Sequence, residues 1–403
     1  VVKVAYVVPR YGVEVVGGAE LGARLLAEHL VAATGWPVEV FTTCALDSRT
    51  WADHYPPGRV EIAGVGVHRF SATGRHPDFE RLSARVLAHP GAASPVDQER
   101  WLEWQGPVCP AALEAAEASG AAVVVFYPYL YWPTVHGVAR LGRRAVLHPA
   151  THDEAPTRLP LFGDVFTRPG GLVFQTHDER RLTERLFPAV AGRPQAVVGL
   201  GVDQAPGHPA TARAALGVGE RPYLLCLGRV DEGKGSGLLA RFFAAYKQRR
   251  PGPLALVFAG PVVDRPPPHP DVVVAGSVDE PVKWGALRGA TALVSPSPLE
   301  SFSLVLLEAW AAGVPAVVNG ACDATTGHCR RSGGGLWFSG YASFEAAVDR
   351  LAADAGLRSA LAGAGRAYVD RLYRWPLLID RYRRFLAEVA GRAPPAGGAS
   401  GMR

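Results

Sequence analysis

Apolar residues fall along this chain in short runs, most of them followed by a longer stretch in which apolar positions recur every third or fourth residue. The runs at 2–8, 38–43, 60–70, 122–127, 145–147, 171–175 and 196–199 predict strands in the first half. In the second half a strand opens 222–235, others lie at 254–260 and 293–295, and 271–279 reads as a strand entering a helix. The first run, VKVAYVV, is almost wholly Val with no polar alternation, as a parallel sheet covered on both faces requires. Helical spacing follows the first strand up to about Ala33 and recurs at 304–312. Strands alternating with helices predict a doubly wound α/β fold. The segment 75–110, rich in Pro, His and Trp, breaks the alternation and is expected to form helices of its own. Residues 199–203 close the first half, and 204–219 is a Pro-, Gly- and Ala-rich connection with one short helix. From about 343 to 392 the pattern is helical, broken at Trp375-Pro376 before a last helix bearing Arg381, Arg383 and Arg384. The tail 393–403 is expected to be disordered.

Composition narrows the class. A chain of 403 residues is too long for one ordinary core, so two domains are expected, 1–203 and 204–375. Hydrophobic residues at 48% and charged residues at 20% describe a globular protein, and no apolar run approaches the ~18 residues of a membrane span. The N-terminal VVKVAYVVPRYG reads as a first strand, not a signal peptide, which points to the cytoplasm. Five scattered cysteines fit a reducing compartment. Cys322, His328 and Cys329 cluster without a fourth ligand at zinc spacing, and no metal is expected there. The net charge of +5 suits an anionic ligand or an anionic membrane surface; no nucleic-acid-binding motif accompanies it.

Candidate chemistry gathers where loops follow strands. Within 291–319 a strand is stopped by Pro296 and Pro298, Ser301 or Ser303 is placed to cap a helix, and Gly313 and Pro315 end that helix. A helix start of this kind holds anions through its N–H groups and dipole. Two carboxylates, Glu300 in the loop and Glu308 within the helix, flank the same end and suit sugar hydroxyls. The stretch after 222–227, GRVDEGKG, sets Arg229 and Lys234 among glycines that let a loop fold round a phosphate, although its spacing is not that of a Walker A loop. Gly17 and Gly18 open the helix after the first strand, without the dinucleotide fingerprint. Further along, Tyr127, Tyr129, Tyr131 and Trp132 in FYPYLYWPTVHG offer rings for a sugar or for packing. His148, His152 and Asp153 follow a strand in the same way, and a His–Asp pair there invites a general-base reading.

The segment from Glu300 through Phe302 and Ser303 to Glu308, followed by Ala-Trp-Ala-Ala-Gly-Val-Pro, resembles the signature of the retaining glycosyltransferases of family 4, and the likeness extends over roughly 2–390. That resemblance implies the GT-B architecture: two Rossmann-like domains facing across a cleft, with a terminal helix, about 376–392, crossing back to complete the first. It implies transfer of a hexosyl group from a nucleotide-diphosphate sugar to an acceptor hydroxyl, with retention and without a metal or other cofactor. Glu300 would hold donor sugar hydroxyls and Glu308 the ribose. Arg229 and Lys234 would hold the diphosphate beside Gly228, Gly17 and Gly18. Gly276, Ser277 and Val278 would meet the base, and Ser301, Phe302, Ser303 and Leu304 would line the helix start. His152 would touch the donor sugar, while Asp153, Tyr129 and Trp132 would face the acceptor, with helices of 75–110 covering that side. The chain departs from the family pattern at 319–335, where Arg330 and Arg331 are either a clamp on a phosphate or an acidic sugar, or a solvated pair. The last helix's arginines are read as solvated, with a peripheral membrane contact at the inner face as the other candidate. The competing functions are a GT-B nucleotide-sugar epimerase or sugar phosphorylase, and a nonenzymatic sugar-binding protein.

Overall fold

The computed structural model describes residues 1–15 and 17–392; the tail 393–403 lies outside the described residues. Contacts divide the chain into two compact units, one of residues 1–200 with the segment from Trp375 onward, the other of residues 201–374.

The first unit is built on an eight-stranded sheet: β1 (Val4–Val7), β2 (Val38–Thr43), β3 (Gly58–Ile62), β4 (Val65–Phe70), β5 (Val123–Phe126), β6 (Ala145–Leu147), β7 (Gly171–Phe174) and β8 (Gln195–Val197). Its spatial order is β3-β4-β2-β1-β5-β6-β7-β8, parallel throughout except for β3 against β4. Val4 pairs with Val38 on one side and Val123 on the other. The chain therefore winds outward from β1 through β2 and β4, then returns to wind the other way from β5. The crevice at the carboxyl ends of β1 and β5 is the switch point where open α/β sheets place ligands. The run 60–70, expected as one strand, is instead parts of two: Ala63 and Gly64 take positive φ (49° and 80°) and reverse the chain into a hairpin. Segment 75–110 supplies helices Phe79–Ala88 and Pro95–Gln105, whose Phe79, Leu82, Trp101 and Leu102 enter the core.

Helix Trp375–Arg392 belongs to this unit, burying Leu378, Ile379, Tyr382, Phe385, Leu386 and Val389. Its Tyr382 hydroxyl meets the Tyr6 hydroxyl at 2.8 Å and His148 Nε2 at 3.0 Å. Arg383 and Arg384 both pair with Asp380 on their own helix, and Arg381 donates to the Val197 carbonyl. Among the described residues no helix is long and apolar enough to cross a membrane.

The second unit holds a wholly parallel six-stranded sheet of β9 (Tyr223–Leu227), β10 (Ala255–Ala259), β11 (Val272–Gly276), β12 (Ala292–Ser295), β13 (Ala316–Asn319) and β14 (Gly335–Phe338) in the order β11-β10-β9-β12-β13-β14. Leu224, Leu256, Phe258, Val294 and Val317, from four of these strands, pack with Phe243, Phe344 and Val348 of the covering helices. Here the switch point lies between β9 and β12. The unusual stretch 319–335 folds as helix Asp323–Ser332, closed by Gly333 at φ 68°, and leads into β14. That helix leaves the carboxyl edge of the sheet and ends at the amino edge, about 15 Å away for ten residues. Arg330 and Arg331 sit in its last turn, Arg330 over the Trp337 ring and Arg331 donating to the Tyr368 hydroxyl. Of the two roles left open for this pair, the placement does not favour a clamp at the strand-end loops: the helix carries both arginines toward the opposite edge of the sheet.

Candidate active site

Loops after β9 and β12 meet at the second unit's switch point. Asp231, buried in the first of them, shapes it with both carboxylate oxygens: Oδ2 pairs with the Arg229 guanidinium and Oδ1 accepts from the Lys234 backbone N–H at 2.7 Å. Gly235 then turns the chain at φ 76° into helix Ser236–Arg249, lying so close to the Pro296 carbonyl that a Cβ would stand 2.7 Å from it. The two loops are thus in backbone contact, and the Lys234 ammonium crosses the gap to Glu300 Oε1 at 2.8 Å. From the far side Asn319, at the end of β13, donates to the Pro296 carbonyl at 2.8 Å. Sequence reasoning named Arg229, Lys234 and Glu300; it did not name Asp231, which positions the two cations.

Helix Leu304–Ala311 starts at Ser303, which takes a left-handed φ of 70°. Neither serine caps this helix in the way expected: the N-cap is Ser303, and its side chain accepts no hydrogen bond from the first turn. The Ser303 hydroxyl is instead buried with no hydrogen-bond partner among the described residues. An unpaired buried hydroxyl at a helix start is a donor that a bound anion would satisfy, and the left-handed backbone beside it is a strained feature of the kind found at ligand sites. Phe302 anchors this start from beneath, its ring packed on His328 and Tyr373 at 5.5 and 5.6 Å. Trp310, in the last turn, donates to the Gly334 carbonyl at 2.8 Å. Glu308 is buried beside the Lys283 ammonium, 2.9 Å from Oε1. Burial pushes the Glu308 carboxyl above its usual range, and Lys283 pulls it back.

Gly228, Gly260 and Gly276 end β9, β10 and β11 with φ of 125°, 143° and 72°. They are stitched by Gly228 N–H to the Ala259 carbonyl and Gly260 N–H to the Gly276 carbonyl. The result is a ledge free of side chains, with Ser277 exposed and Val278 half-buried beside it. Gly228 and Gly276 were expected at a site; Gly260 was not.

At the first unit's switch point Gly17 precedes helix Gly18–Thr34, and a Cβ there would fall on the Glu20 carboxylate. Glu20 pairs with Arg10, both buried, and Arg10 also donates to the Leu46 carbonyl at 2.9 Å. The absence of a side chain at Gly17 thus leaves room for this ion pair, while a Cβ at Gly18 would meet nothing among the described residues. His152 is half-buried with Nδ1 3.7 Å from Glu154 Oε1, and Asp153 pairs with Arg158. Trp132 is half-buried against His136 at the start of its helix. Tyr129 corrects the expectation of a ring offered to a ligand: it is 1% exposed, packed on Phe162 and Phe166, and only its hydroxyl reaches outward, to Glu154 at 2.9 Å. His148 and Tyr127 are core residues as well.

A carboxylate overlooked in the sequence organises the His152 loop. Glu179 is buried in the first turn of helix His177–Leu186, accepting from Thr151 N–H at 2.9 Å and Gln175 N–H at 2.6 Å. Burial pushes its carboxyl up to about 7, against those two donors. A raised carboxyl contributes stability that is complete below the unfolded value near 4.5 and is lost as pH rises through about 7. Urea titrations from pH 4.5 to 7.5 should show the native chain losing on the order of 3 kcal/mol relative to Glu179→Gln. Parallel pH profiles for the two proteins would refute the assignment.

Residues 221–354 match the family described as glycosyl transferases group 1. The chain is 29% identical over 332 residues to a D-inositol 3-phosphate glycosyltransferase of Frankia alni, covering 75% of this chain and 77% of that one. It is 28% identical over 409 residues to the protein of the same name from Saccharomonospora viridis, covering 90% and 88%. Among solved structures it resembles sucrose-phosphate synthase from Thermosynechococcus elongatus, with a TM-score of 0.70 at 19% identity over 97% of this chain and 100% of that one. At that identity the likeness speaks for the fold, two α/β parallel-sheet units of GT-B type.

Proposed function

Since this chain is a glycosyltransferase of the GT-B fold with a group 1 glycosyl transferase domain in its second unit, we propose that it moves a hexosyl group from a nucleotide-diphosphate sugar to an acceptor hydroxyl with retention of configuration. The observation that carries this reading is the Lys234–Glu300 pair, joined across the switch point beside Arg229 and the unpaired Ser303 hydroxyl. Two cations and a helix start suit a diphosphate, and a carboxylate in the same loop suits the hydroxyls of the sugar attached to it.

In the reaction the bond from the anomeric carbon to the diphosphate oxygen breaks, and that oxygen takes the electron pair. Arg229, Lys234 and the N–H groups near Ser303 stabilise the charge that develops on it. The acceptor oxygen bonds to the anomeric carbon on the face the diphosphate leaves, and its proton passes to a departing phosphate oxygen. The protein supplies position and charge, and no side chain becomes covalently attached to the sugar. Two fixed cations beside the diphosphate do the neutralising work that a divalent ion does elsewhere, so turnover should survive a chelator.

The ledge of Gly228, Gly260 and Gly276 is our candidate for the face that meets the nucleobase, with Glu308 on the ribose. The relatives' name makes an inositol phosphate the first acceptor to try, and we place the reaction in the cytoplasm. The test is to mix the protein with UDP-, GDP-, ADP- and TDP-hexoses, with and without acceptors, and to read the anomeric proton coupling of the product. An axial product from an axial donor supports retention, whereas an inverted product overturns it. Epimerised donor formed without an acceptor, or turnover that requires inorganic phosphate, would replace transfer altogether.

A further inference from the structure

Glu308 is carried on the second turn of helix Leu304–Ala311 and is 7% exposed. An ionised carboxylate so placed is costly unless a cation and hydrogen bonds compensate it. The compensating cation comes from a different element. Lys283 lies in the first turn of helix Glu280–Gly289, directly after the Gly276–Val278 turn, and its ammonium reaches Glu308 Oε1 at 2.9 Å and Glu280 Oε1 at 2.7 Å. The Trp284 ring lies 5.7 Å from the same ammonium. Lysine offers only donors, so with Oε1 engaged the carboxylate keeps its other oxygen as an acceptor for hydroxyls.

From this geometry we infer that Lys283 is a positioning residue for the nucleoside: it holds the Glu308 carboxylate ionised and oriented to accept from the ribose hydroxyls, and so determines the preference for a ribonucleotide over its deoxy counterpart. The inference rests on the reading of Glu308 as the ribose acceptor. Lys283 touches Glu308 and not the reacting atoms, so its effect falls on donor affinity and not on the bond being broken. The arrangement also ties the two halves of the nucleoside site together. The turn proposed to meet the base and the helix proposed to meet the ribose are joined by this one ammonium, and a change in one segment displaces the other.

The test uses the full chain and its Lys283→Met, Lys283→Arg and Glu308→Gln variants, with UDP, GDP and ADP each compared with its 2′,3′-dideoxy form by calorimetry. For the base that binds best, the native protein should favour the ribonucleotide by about 30-fold or more, the scale of hydrogen bonds to a charged acceptor. Lys283→Met should reduce that ratio to a few-fold, and Lys283→Arg should keep most of it. In the methionine variant ribonucleotide affinity should be lost at a higher pH than in the native protein, because burial then acts on Glu308 unopposed. With donor sugar, KM should rise far more than kcat falls. Thermal unfolding identifies the folded variants, and Lys283→Arg remains informative if Lys283→Met does not fold. An undiminished ribose preference in Lys283→Met, with Glu308→Gln abolishing it, overturns the role of Lys283 alone. An undiminished preference in both variants overturns the assignment of Glu308 as well.

Discussion

Lys234→Ala should turn over about two to three orders of magnitude more slowly than the native enzyme, the scale for removing one preorganised electrostatic group from a developing charge. The loss has two physical parts. The ammonium no longer faces the diphosphate, and at ~4 Å in a partly desolvated site each such attraction is worth on the order of 4 kcal/mol before desolvation is counted. In addition Glu300, whose side chain is only 18% exposed, loses its 2.8 Å partner and is left as an uncompensated anion beside an anionic substrate. The second part makes the substitution worse than a simple deletion of charge. Replacing both residues, as in Lys234→Ala with Glu300→Gln, should therefore cost less than the two single effects added together. A nucleoside diphosphate at a hundred times its dissociation constant should stabilise the native chain by about 2.7 kcal/mol, and much of that shift should vanish in Lys234→Ala. Native-like kcat/KM in the variant, measured with whichever nucleotide hexose the native chain turns over, would remove Lys234 from the diphosphate site.

The parts of this fold that the sequence made legible are those in which local pattern and burial agree. Valine-rich runs such as 2–8 and 122–127 lie inside a parallel sheet covered on both faces, so their hydrophobicity is nearly continuous and their extent is plain. The hairpin at 58–70 hid because β3 is an edge strand, largely exposed at Arg59, Val60 and Glu61, and carries little apolar signal of its own. Helix Asp323–Ser332 hid for a related reason: it is buried on all sides from Ala324 to Cys329, through small or polar residues that give a hydrophobic reading no helical period to find. In the candidate site, Arg229, Lys234 and Glu300 stood out because each follows a strand within a short distance, and Glu308 because it belongs to the segment from Glu300 that carries the family likeness. Asp231, Lys283 and Glu179 did not, since each is recognised by what it pairs with. Lys283 meets Glu308 across 25 positions, and Glu179 lies in HDERRLTERL, which looks like a wholly solvated helix. Tyr129 failed in the opposite direction, as an aromatic residue after a strand that turned inward to join the core.

Gly260→Val should cost about 3–5 kcal/mol of stability and abolish most nucleotide affinity, although residue 260 drew no attention in the sequence. At φ 143° the position lies where side-chain-bearing residues are strained, and a Cβ built there falls on the Gly228 carbonyl oxygen. The obstacle is backbone, not the far end of a flexible side chain, so the strands themselves must move apart. They are held by Gly228 N–H to the Ala259 carbonyl at 2.9 Å, Gly260 N–H to the Gly276 carbonyl at 2.7 Å and, one step on, Val230 N–H to the Pro261 carbonyl at 2.9 Å. Separating β9 from β10 at this point breaks bonds on both sides of Gly260 and shifts Arg229, which lies between Gly228 and Val230. The substitution therefore couples two effects that a distant core mutation would not: lower stability, read as a reduced urea midpoint with little change in slope, and a weaker response to nucleoside diphosphate in the molecules that remain folded. Gly252→Ala provides the comparison, because a Cβ at Gly252 meets nothing and the residue lies before β10, away from the ledge. Full nucleotide affinity in folded Gly260→Val would mean that the glycine ledge serves the packing of the sheet and leaves the base to be recognised elsewhere.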